Sequence, residues 1–180
     1  MVSLHLVLGP MASGKTTELL RRASTAVAMG LKVGYFNSHL DTRSLEEISS
    51  HRPTMKEEGI TYLKVASLPV SVSEFDLILL DEAQFFDSLY STVEHWLTQG
   101  KEIVIAGLNG DYQRKAFGQI LSLIPLCSSL QLLTAYCRSC AELDHCLVPA
   151  PFTKRVVPGN SQILIGGTES YQPVCFRHFQ

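Results

Sequence analysis

Residues Gly9 to Thr16 read Gly-Pro-Met-Ala-Ser-Gly-Lys-Thr, which matches the phosphate-binding pattern G-x-x-x-x-G-K-[ST] at every fixed position. An apolar, strand-like run at residues 2–8 precedes this loop, and residues 17–29 carry apolar side chains at helical spacing behind it. In that context Lys15 can reach the outer phosphates and Thr16 can ligate Mg²⁺. The alternative is a chance glycine turn before a helix. We predict nucleoside triphosphate binding by the whole loop: Gly9, Pro10, Met11, Ala12, Ser13, Gly14, Lys15 and Thr16.

Length, charge and cysteine content limit the classes to which the chain can belong. Its 180 residues suffice for one domain with a small appendage, and 46% of them are apolar, as a packed core requires. The net charge of −2 predicts no general attraction to nucleic acid or to a membrane surface. No apolar run approaches the ~20 residues of a membrane span, and the immediate strand leaves no room for a signal peptide. Five cysteines, an odd number, then predict a reducing, cytoplasmic setting.

Apolar runs and helical patterns alternate through the first two thirds of the chain, which is the rhythm of a parallel α/β sheet. The predicted elements are strands at 32–36, 60–65, 75–80 and 103–107, a helix marked by Phe85, Leu89, Val93 and Trp96, and a short helix over 117–124. The polar stretch 37–59 predicts a functional or mobile loop. From Thr134 the chain turns to cysteines, prolines and glycines. We therefore predict an α/β nucleotide-binding domain over 1–133 and a small subdomain over 134–180.

A second candidate site follows the predicted strand 75–80, which leads into Asp81 and Glu82. An enzyme with a phosphate loop needs a carboxylate at such a strand end to hold the Mg²⁺ shell, and Asp81 fits that task. Glu82 can act as the general base that takes a proton from a hydroxyl group or from water. Its simpler role is to place a negative charge at the start of the next helix.

Two pairs of potential metal ligands lie in the C-terminal third. The pairs are Cys137-x-x-Cys140 and Cys175-x-x-His178. Together they form the four-ligand pattern of a closed structural Zn²⁺ site, whereas a single C-x-x-C could be a redox pair. Such a site would fold a region with little core of its own.

Several further segments, taken together, indicate a family. They are Thr17-Glu18-Leu19 after the phosphate loop, Asp81-Glu82-Ala83-Gln84-Phe85-Phe86, residues 108–118 (Leu-Asn-Gly-Asp-Tyr-Gln-Arg-Lys-Ala-Phe-Gly), Thr153-Lys154-Arg155, and Ile165-Gly166-Gly167 followed by Tyr171 and Cys175, with Asp41-Thr42-Arg43 in the expected place. In this order, and over nearly the whole chain, they resemble type II thymidine kinases. The resemblance implies a P-loop NTPase (RecA-like) fold, a parallel sheet flanked by helices, with a small C-terminal zinc-binding subdomain.

The same resemblance implies a reaction. The γ-phosphoryl group of ATP would pass to the 5′-hydroxyl of thymidine, giving thymidine monophosphate for salvage, with deoxyuridine-type nucleosides as further candidates. Glu82 would be the catalytic base, Arg43 and Lys15 would contact phosphates, and Asp81 and Gln84 would belong to the ATP–Mg²⁺ site. The family also suggests a homotetramer and feedback inhibition by thymidine triphosphate.

For the nucleoside, the resemblance implies an apolar slot covered by a loop, residues 153–171, which we call the lasso. A slot of this kind suits a flat base that carries a methyl group. Each aromatic residue has the alternative of being ordinary core, and Gly166-Gly167 that of an ordinary turn. The candidate substrate-binding residues are Met11, Phe85, Leu108, Tyr112, Phe117, Thr153, Leu164, Gly166 and Tyr171.

One departure from the family pattern concerns the predicted zinc ligands. Residues 141–152 make the chain longer here than in typical relatives, and they include His145 and Cys146. Either residue can replace His178 as the fourth ligand, and His178 itself stands where relatives often carry cysteine. The first three ligands are predicted to be Cys137, Cys140 and Cys175.

Two other functions compete with a nucleoside kinase. Asp81-Glu82-Ala83-Gln84 is also a DExx box, which with a zinc ribbon would indicate a nucleic-acid-stimulated ATPase. The chain is short for the second motor domain of such an enzyme, and its charge balance offers no basic track. A non-catalytic nucleotide sensor is the third hypothesis, but Lys15, Asp81 and Glu82 are all present.

Overall fold

The computed structural model describes residues 2–41 and 59–180. The first strand, β1 (Ser3–Gly9), runs through the phosphate loop into α1 (Lys15–Ala28). The other strands of the main sheet are β2 (Val33–Ser38), β3 (Ile60–Val65), β4 (Leu77–Asp81), β5 (Glu102–Leu108) and β6 (Ser129–Leu132). The chain between them forms α2 (Leu89–Thr98) and two 3-10 turns, Ala83–Phe85 and Ile120–Leu126.

The six strands form one parallel sheet in the order β3-β2-β4-β5-β1-β6. All of their carboxyl ends therefore lie at one edge, where Gly9 ends β1 and Asp81 ends β4. This edge is where open α/β sheets place their ligands. The predicted parallel α/β sheet flanked by helices is confirmed.

Both faces of the sheet are buried, which explains the continuous apolar runs of its central strands. On one face α1 packs Leu19 and Ala23 against a cluster that includes Tyr35 from β2. On the other face α2 packs Val93 and Trp96 against the opposite side chains of the same strands. The sheet is thus the middle layer of three, with its carboxyl edge open between the two packed faces.

Two predicted helices were wrong in their bounds or type, and one strand was not predicted. The helix marked by Phe85 begins only at Leu89, because Glu82 adopts a left-handed backbone (φ +50°) and Phe86 is extended, so the chain cannot continue as one helix. The helix predicted over 117–124 is a 3-10 turn that starts at Ile120, since Gly118 has φ +60°. The edge strand β6 was not predicted, because its four residues, Ser-Leu-Gln-Leu, are all exposed and their alternation is too short to stand out in the sequence.

The C-terminal part is built from short elements. They are the antiparallel pairs β7 (Ala135–Tyr136) with β8 (Pro149–Ala150) and β9 (Phe152–Arg155) with β10 (Tyr171–Val174), and the helices α3 (Arg138–Leu143) and α4 (Phe176–Phe179). These elements enclose a small cluster of their own, in which Cys137, Cys140 and Cys175 are buried with three apolar side chains. The division at residue 133 stays a prediction. Among the described residues, no helix has the length and apolarity that crossing a membrane requires.

Candidate active site

The phosphate loop depends on two glycines for different reasons. A Cβ atom on Gly9 would lie 2.5 Å from Ser13 Oγ, so a larger residue would displace the loop. Gly14 has φ +86°, a left-handed conformation that costs other residues energy. Within the loop, Ser13 Oγ donates a hydrogen bond to the Pro10 carbonyl at 2.8 Å, and Lys15 Nζ donates to the same oxygen at 2.7 Å. The ammonium group of Lys15 therefore lies inside the curve of its own loop.

Asp81 gathers donors from neighbouring elements at the carboxyl edge of the sheet. Thr16 Oγ1 donates to Asp81 Oδ2 at 2.7 Å, and Tyr35 Oη donates to the same oxygen at 2.9 Å. The backbone N–H of Glu82 donates to Asp81 Oδ1 at 3.0 Å. The carboxylate is fully buried, so these donors hold it in one orientation. A hydroxyl and a carboxylate oxygen thus lie side by side, as hard ligands for a divalent cation must.

The sequence analysis missed Tyr35, which has no local signal in its strand. Its side chain reaches Asp81 because β2 lies beside β4, with Asn37 paired opposite Asp81 in the register. Only the order of strands in the sheet makes the two residues neighbours.

Glu82 has a strained backbone and a fixed carboxylate. Its left-handed φ of +50° is unusual for a residue with a side chain, and such strain is found at functional sites. Gln84 Nε2 donates to Glu82 Oε2 at 2.6 Å, while Gln84 Oε1 accepts from the Leu108 N–H at 3.1 Å. Gln84 is 3% exposed, so its amide is locked between β5 and the Glu82 carboxylate. The predicted general base is therefore pre-oriented by its neighbour.

A cavity of about 980 Å³ opens at this edge of the sheet and joins the phosphate loop to an aromatic region. Its wall includes every candidate substrate-binding residue: Met11, Phe85, Leu108, Tyr112, Phe117, Thr153, Leu164, Gly166 and Tyr171. It also includes most of the predicted nucleotide-binding and catalytic residues: Ala12, Ser13, Gly14, Lys15, Thr16, Glu82 and Gln84. Gly9, Pro10 and Asp81 are not among the described residues that line the cavity, and Arg43 is outside the described residues. The individual roles of these residues stay predictions.

The aromatic end of the cavity combines pocket and core. The rings of Phe85 and Phe117 meet edge to face, with centroids 5.4 Å apart and an interplanar angle of 87°. Phe117 is nearly buried and Phe85 half-buried, so each ring packs on the other and also faces the cavity. Phe85 and Phe117 therefore belong both to the wall of the pocket and to the packed core, the two roles between which the sequence left the choice open.

Residues of the lasso line the cavity, and hydrogen bonds hold them to the phosphate loop, to the segment after β5 and to one another. Thr153 Oγ1 accepts a hydrogen bond from the Met11 N–H at 3.0 Å, which joins the lasso to the phosphate loop. Gln162 Nε2 donates to Asp111 Oδ2 at 2.7 Å. Tyr171 Oη donates to the Leu164 carbonyl at 2.8 Å.

The sequence analysis missed Asp111 and Gln162 as site residues. Asp111 is 5% exposed, and its Oδ1 accepts from the N–H groups of Gln113 and Lys115 at 2.8 and 2.9 Å. An Asp side chain that accepts hydrogen bonds from the backbone of the turn that follows it is a pattern that the sequence could have indicated. Gln162 had no such pattern in the sequence around it, because its partner Asp111 lies 51 residues away.

The candidate metal centre brings together the four predicted ligands. His178 Nδ1 lies 3.5, 3.3 and 3.5 Å from the Sγ atoms of Cys137, Cys140 and Cys175, and the Cys140 and Cys175 sulfurs are 3.8 Å apart. Tetrahedral Zn²⁺ with Zn–S of ~2.3 Å and Zn–N of ~2.0–2.1 Å spaces its ligand atoms roughly 3.5–3.8 Å apart. The cluster therefore fits a closed Zn²⁺ site without rearrangement.

His145 and Cys146, the two alternatives to His178 as fourth ligand, lie outside the cluster of four ligands. Cys146 belongs to a second group of potential ligands with Cys140 and Asp144. Among the described residues, His145 belongs to neither group. The geometry therefore favours His178 as the partner of the three cysteines.

Two thiols of the centre, those of Cys137 and Cys140, have pKa values displaced in opposite directions. Burial disfavours the thiolate of Cys137, but hydrogen bonds from the backbone at Cys175 and Cys140 and from His178 outweigh it and lower the pKa to about 6. Burial and the neighbouring sulfurs of Cys137 and Cys175 raise the pKa of Cys140 to about 12. Crowded thiols resist joint ionisation in this way, and a bound Zn²⁺ would reverse the effect by taking all three as thiolates.

A sequence model of a protein family, described as thymidine kinase, matches residues 2–179. The chain belongs to the thymidine kinase family. The resemblance inferred from the separate motifs is thereby confirmed, and the family supports a kinase, that is, a phosphotransferase.

Relatives of this family member include cellular and viral enzymes. Thymidine kinase a of Arabidopsis thaliana is 35% identical over 188 residues, which cover 98% of the chain and 74% of the relative. The cytosolic thymidine kinase of Bos taurus is 35% identical over 173 residues, covering 96% and 69%. Thymidine kinase of Vaccinia virus (strain Western Reserve) is 34% identical over 172 residues, covering 96% and 93%. Similarity thus extends over nearly the whole chain.

A solved structure outside the family shares the fold of this kinase. The flagellar accessory protein FlaH from Methanocaldococcus jannaschii superposes with a TM-score of 0.53 at 16% identity, covering 74% of this chain and 71% of that chain. At this identity the similarity concerns the architecture alone.

Proposed function

We propose that this member of the thymidine kinase family transfers the γ-phosphoryl group of ATP to the 5′-hydroxyl of thymidine, giving thymidine monophosphate for nucleotide salvage. The observation that carries the proposal is the single cavity of about 980 Å³, which has the phosphate loop at one end and an aromatic slot at the other. The Glu82 carboxylate lies on the wall of the same cavity. Donor and acceptor can therefore meet in one space beside a fixed carboxylate.

In this proposal each part of the phosphate loop has a separate task. Lys15 exchanges the Pro10 carbonyl, to which it donates at 2.7 Å, for the outer phosphates of ATP. The N–H groups at the start of α1 add their partial positive charge at the same place. Thr16 and Asp81 would hold Mg²⁺, which when bound would neutralise charge on the phosphates. These interactions position the nucleotide and stabilise the charge of the transferred group.

Glu82 takes the proton of the 5′-hydroxyl as its oxygen bonds to the γ-phosphorus of ATP. The bond from that phosphorus to the β,γ-bridging oxygen breaks, and ADP leaves. The Gln84 amide keeps the carboxylate in place through the 2.6 Å contact. Because a base must be within hydrogen-bond reach of the proton that it removes, this fixed orientation supports the role. Arg43 is proposed to contact the phosphates, as the family pattern implies.

The aromatic slot and the lasso bind the nucleoside. Phe85, Tyr112 and Phe117 supply flat apolar surface for the thymine ring and its methyl group. Cys137, Cys140, Cys175 and His178 would hold Zn²⁺, which when bound would tie the two ends of the lasso region together. We also propose the two-part division at residue 133, a cytoplasmic location, a homotetramer and feedback inhibition by thymidine triphosphate, which family membership supports.

The test is a phosphoryl-transfer assay with ATP and Mg²⁺, in which thymidine is compared with deoxycytidine, deoxyadenosine and deoxyguanosine. Selective formation of thymidine monophosphate is expected. A parallel reaction with single-stranded DNA and no nucleoside serves as the control. Phosphate release that requires DNA would overturn the proposal and favour the ATPase hypothesis, since Glu82 would then activate water.

A further inference from the structure

Arg155 is the last residue of β9 and lies at the neck of the lasso, paired with Tyr171 in the β9–β10 register. Its Nη1 donates to the carbonyls of Ser161 at 2.6 Å and Gly159 at 3.3 Å. Its Nη2 donates to the Gln162 carbonyl at 3.2 Å and to the Tyr171 hydroxyl at 2.8 Å. One guanidinium group therefore binds three backbone carbonyls of the lasso and the side-chain hydroxyl of Tyr171 on β10.

The flat face of the same group contacts the wall of the cavity. The central guanidinium carbon of Arg155 lies 3.8 Å from the centre of the Tyr112 ring. This distance is well inside the ~6 Å within which a cation over an aromatic ring is attracted. Tyr112 in turn donates from its hydroxyl to the Asn160 carbonyl at 3.3 Å. Arg155 and Tyr112 together connect the lasso to the α/β domain.

Besides Arg155, the lasso is ordered mainly by hydrogen bonds such as those from Gln162 Nε2 to Asp111 Oδ2 and to the Ala116 carbonyl, and not by regular secondary structure or a fully buried apolar cluster. Residues 156–167 form neither helix nor strand, and the apolar side chains of Ile163, Leu164 and Ile165 are 46%, 38% and 47% exposed. Partly covered side chains of this kind offset only part of the conformational entropy that the segment loses when it is ordered. Its shape must therefore come from hydrogen bonds to fixed groups, of which Arg155 supplies four.

We propose that Arg155 is a positioning residue that forms the cover of the nucleoside site before the nucleoside binds. This inference rests on the proposed function, since it assigns the lasso to the nucleoside. A preformed cover reduces the entropy lost on binding, so Arg155 sets the affinity for the nucleoside and leaves the transfer step to Glu82. The planar fork of arginine reaches several acceptors while it stacks on a ring, which lysine cannot do.

The test compares Arg155→Lys and Arg155→Gln with the full-length wild-type protein. In both variants we expect the KM for thymidine to rise about tenfold or more, with kcat and the KM for ATP within about twofold of wild type. Amide hydrogen exchange of residues 156–167, measured without nucleoside, should become faster. Arg21→Lys is the matched control, because Arg21 pairs with Glu18 on the exposed side of α1. Arg21→Lys should change neither the KM for thymidine nor the hydrogen exchange of residues 156–167.

The two measurements separate failure of the inference from failure of the proposed function. If wild type phosphorylates thymidine and the Arg155 variants keep its KM, the inference is wrong and the proposed function stands. A loss confined to kcat, or exchange that is unchanged in both variants, would also overturn it. If wild type does not use thymidine, the proposed function fails, while hydrogen exchange still tests whether Arg155 orders the lasso.

Discussion

The Thr16 hydroxyl donates a 2.7 Å hydrogen bond to Asp81 Oδ2, although the two residues are 65 positions apart in the chain. Thr16 lies in α1, which follows β1, and Asp81 ends β4; in the sheet, β5 lies between β1 and β4. The contact arises because parallel strands bring all their carboxyl ends to one edge. The first turn of α1 and the end of β4 therefore share a single oxygen-rich position, which is suited to a divalent cation bound with a nucleotide.

Asp81→Asn should reduce turnover by about a hundredfold, because the neutral amide binds a divalent cation weakly. The Thr16 and Tyr35 hydroxyls keep an acceptor in this variant, so the melting temperature should change little. The measurement is kcat as a function of Mg²⁺ concentration. Asp87→Asn is the control, since Asp87 is exposed. Wild-type turnover by Asp81→Asn would exclude Asp81 from the metal shell.

Glu82→Gln should lower kcat by about 10²–10⁴-fold, which is the usual contribution of a positioned general base. The substitution preserves the shape of the side chain, so binding of ATP measured by calorimetry should stay unchanged. Glu94→Gln, at an exposed position of α2, is the matched control. An active Glu82→Gln protein would contradict the assignment of the base.

Loss of Zn²⁺ should loosen the C-terminal part while leaving the α/β domain folded. Cys175→Ser should remove the bound metal, because it deletes a ligand with a sulfur 3.5 Å from His178 Nδ1. Limited proteolysis should then cut residues 134–180 first, since their own buried cluster is small. Elemental analysis gives the metal content of each variant.

The identity of the fourth zinc ligand is tested with variants of two other residues. His178→Ala should lower the zinc content, whereas Cys146→Ser should keep one Zn²⁺ per chain, because Cys146 lies in a different ligand group. Cys127→Ser, a half-buried cysteine outside both groups, is the control. Zinc loss in Cys146→Ser with retention in His178→Ala would reverse the assignment.

Glu18→Gln should weaken the folded state by about 0.5 kcal/mol at pH 7, a value typical of partly exposed helical ion pairs. The hydrogen bond from Arg21, with a further one from Arg22, outweighs the opposing effect of burial and lowers the pKa of Glu18 to about 2. Because the folded-state pKa is the lower one, the stabilisation is complete above the ordinary pKa of 4.5 and disappears as the pH falls through about 2. Urea unfolding of wild type and Glu18→Gln at pH 7 and pH 2 measures the difference in their free energies of unfolding. A difference that is equal at both pH values would show that the ion pair of Glu18 is not its cause.

Much of the fold and of the candidate site could be predicted because the signals are local. The phosphate loop, the strand before it and the helix after it are contiguous, and the pair Asp81–Glu82 directly follows an apolar strand. Element boundaries failed where a backbone dihedral decides them, as at Glu82 and Gly118, since positive φ at a residue such as Glu is not visible in the sequence.

The sequence by itself therefore determined the parallel sheet, the phosphate loop and the pairs of zinc ligands, because hydrophobic periodicity and short motifs act over a few residues. Only the tertiary structure decided which distant side chains meet. It placed Tyr35 on Asp81, Gln162 on Asp111 and the Arg155 guanidinium on the Tyr112 ring, contacts that depend on strand order and on the path of the lasso. These contacts join residues that are tens of positions apart and produce no periodic pattern in the sequence. Only the packing of the folded chain brings them together.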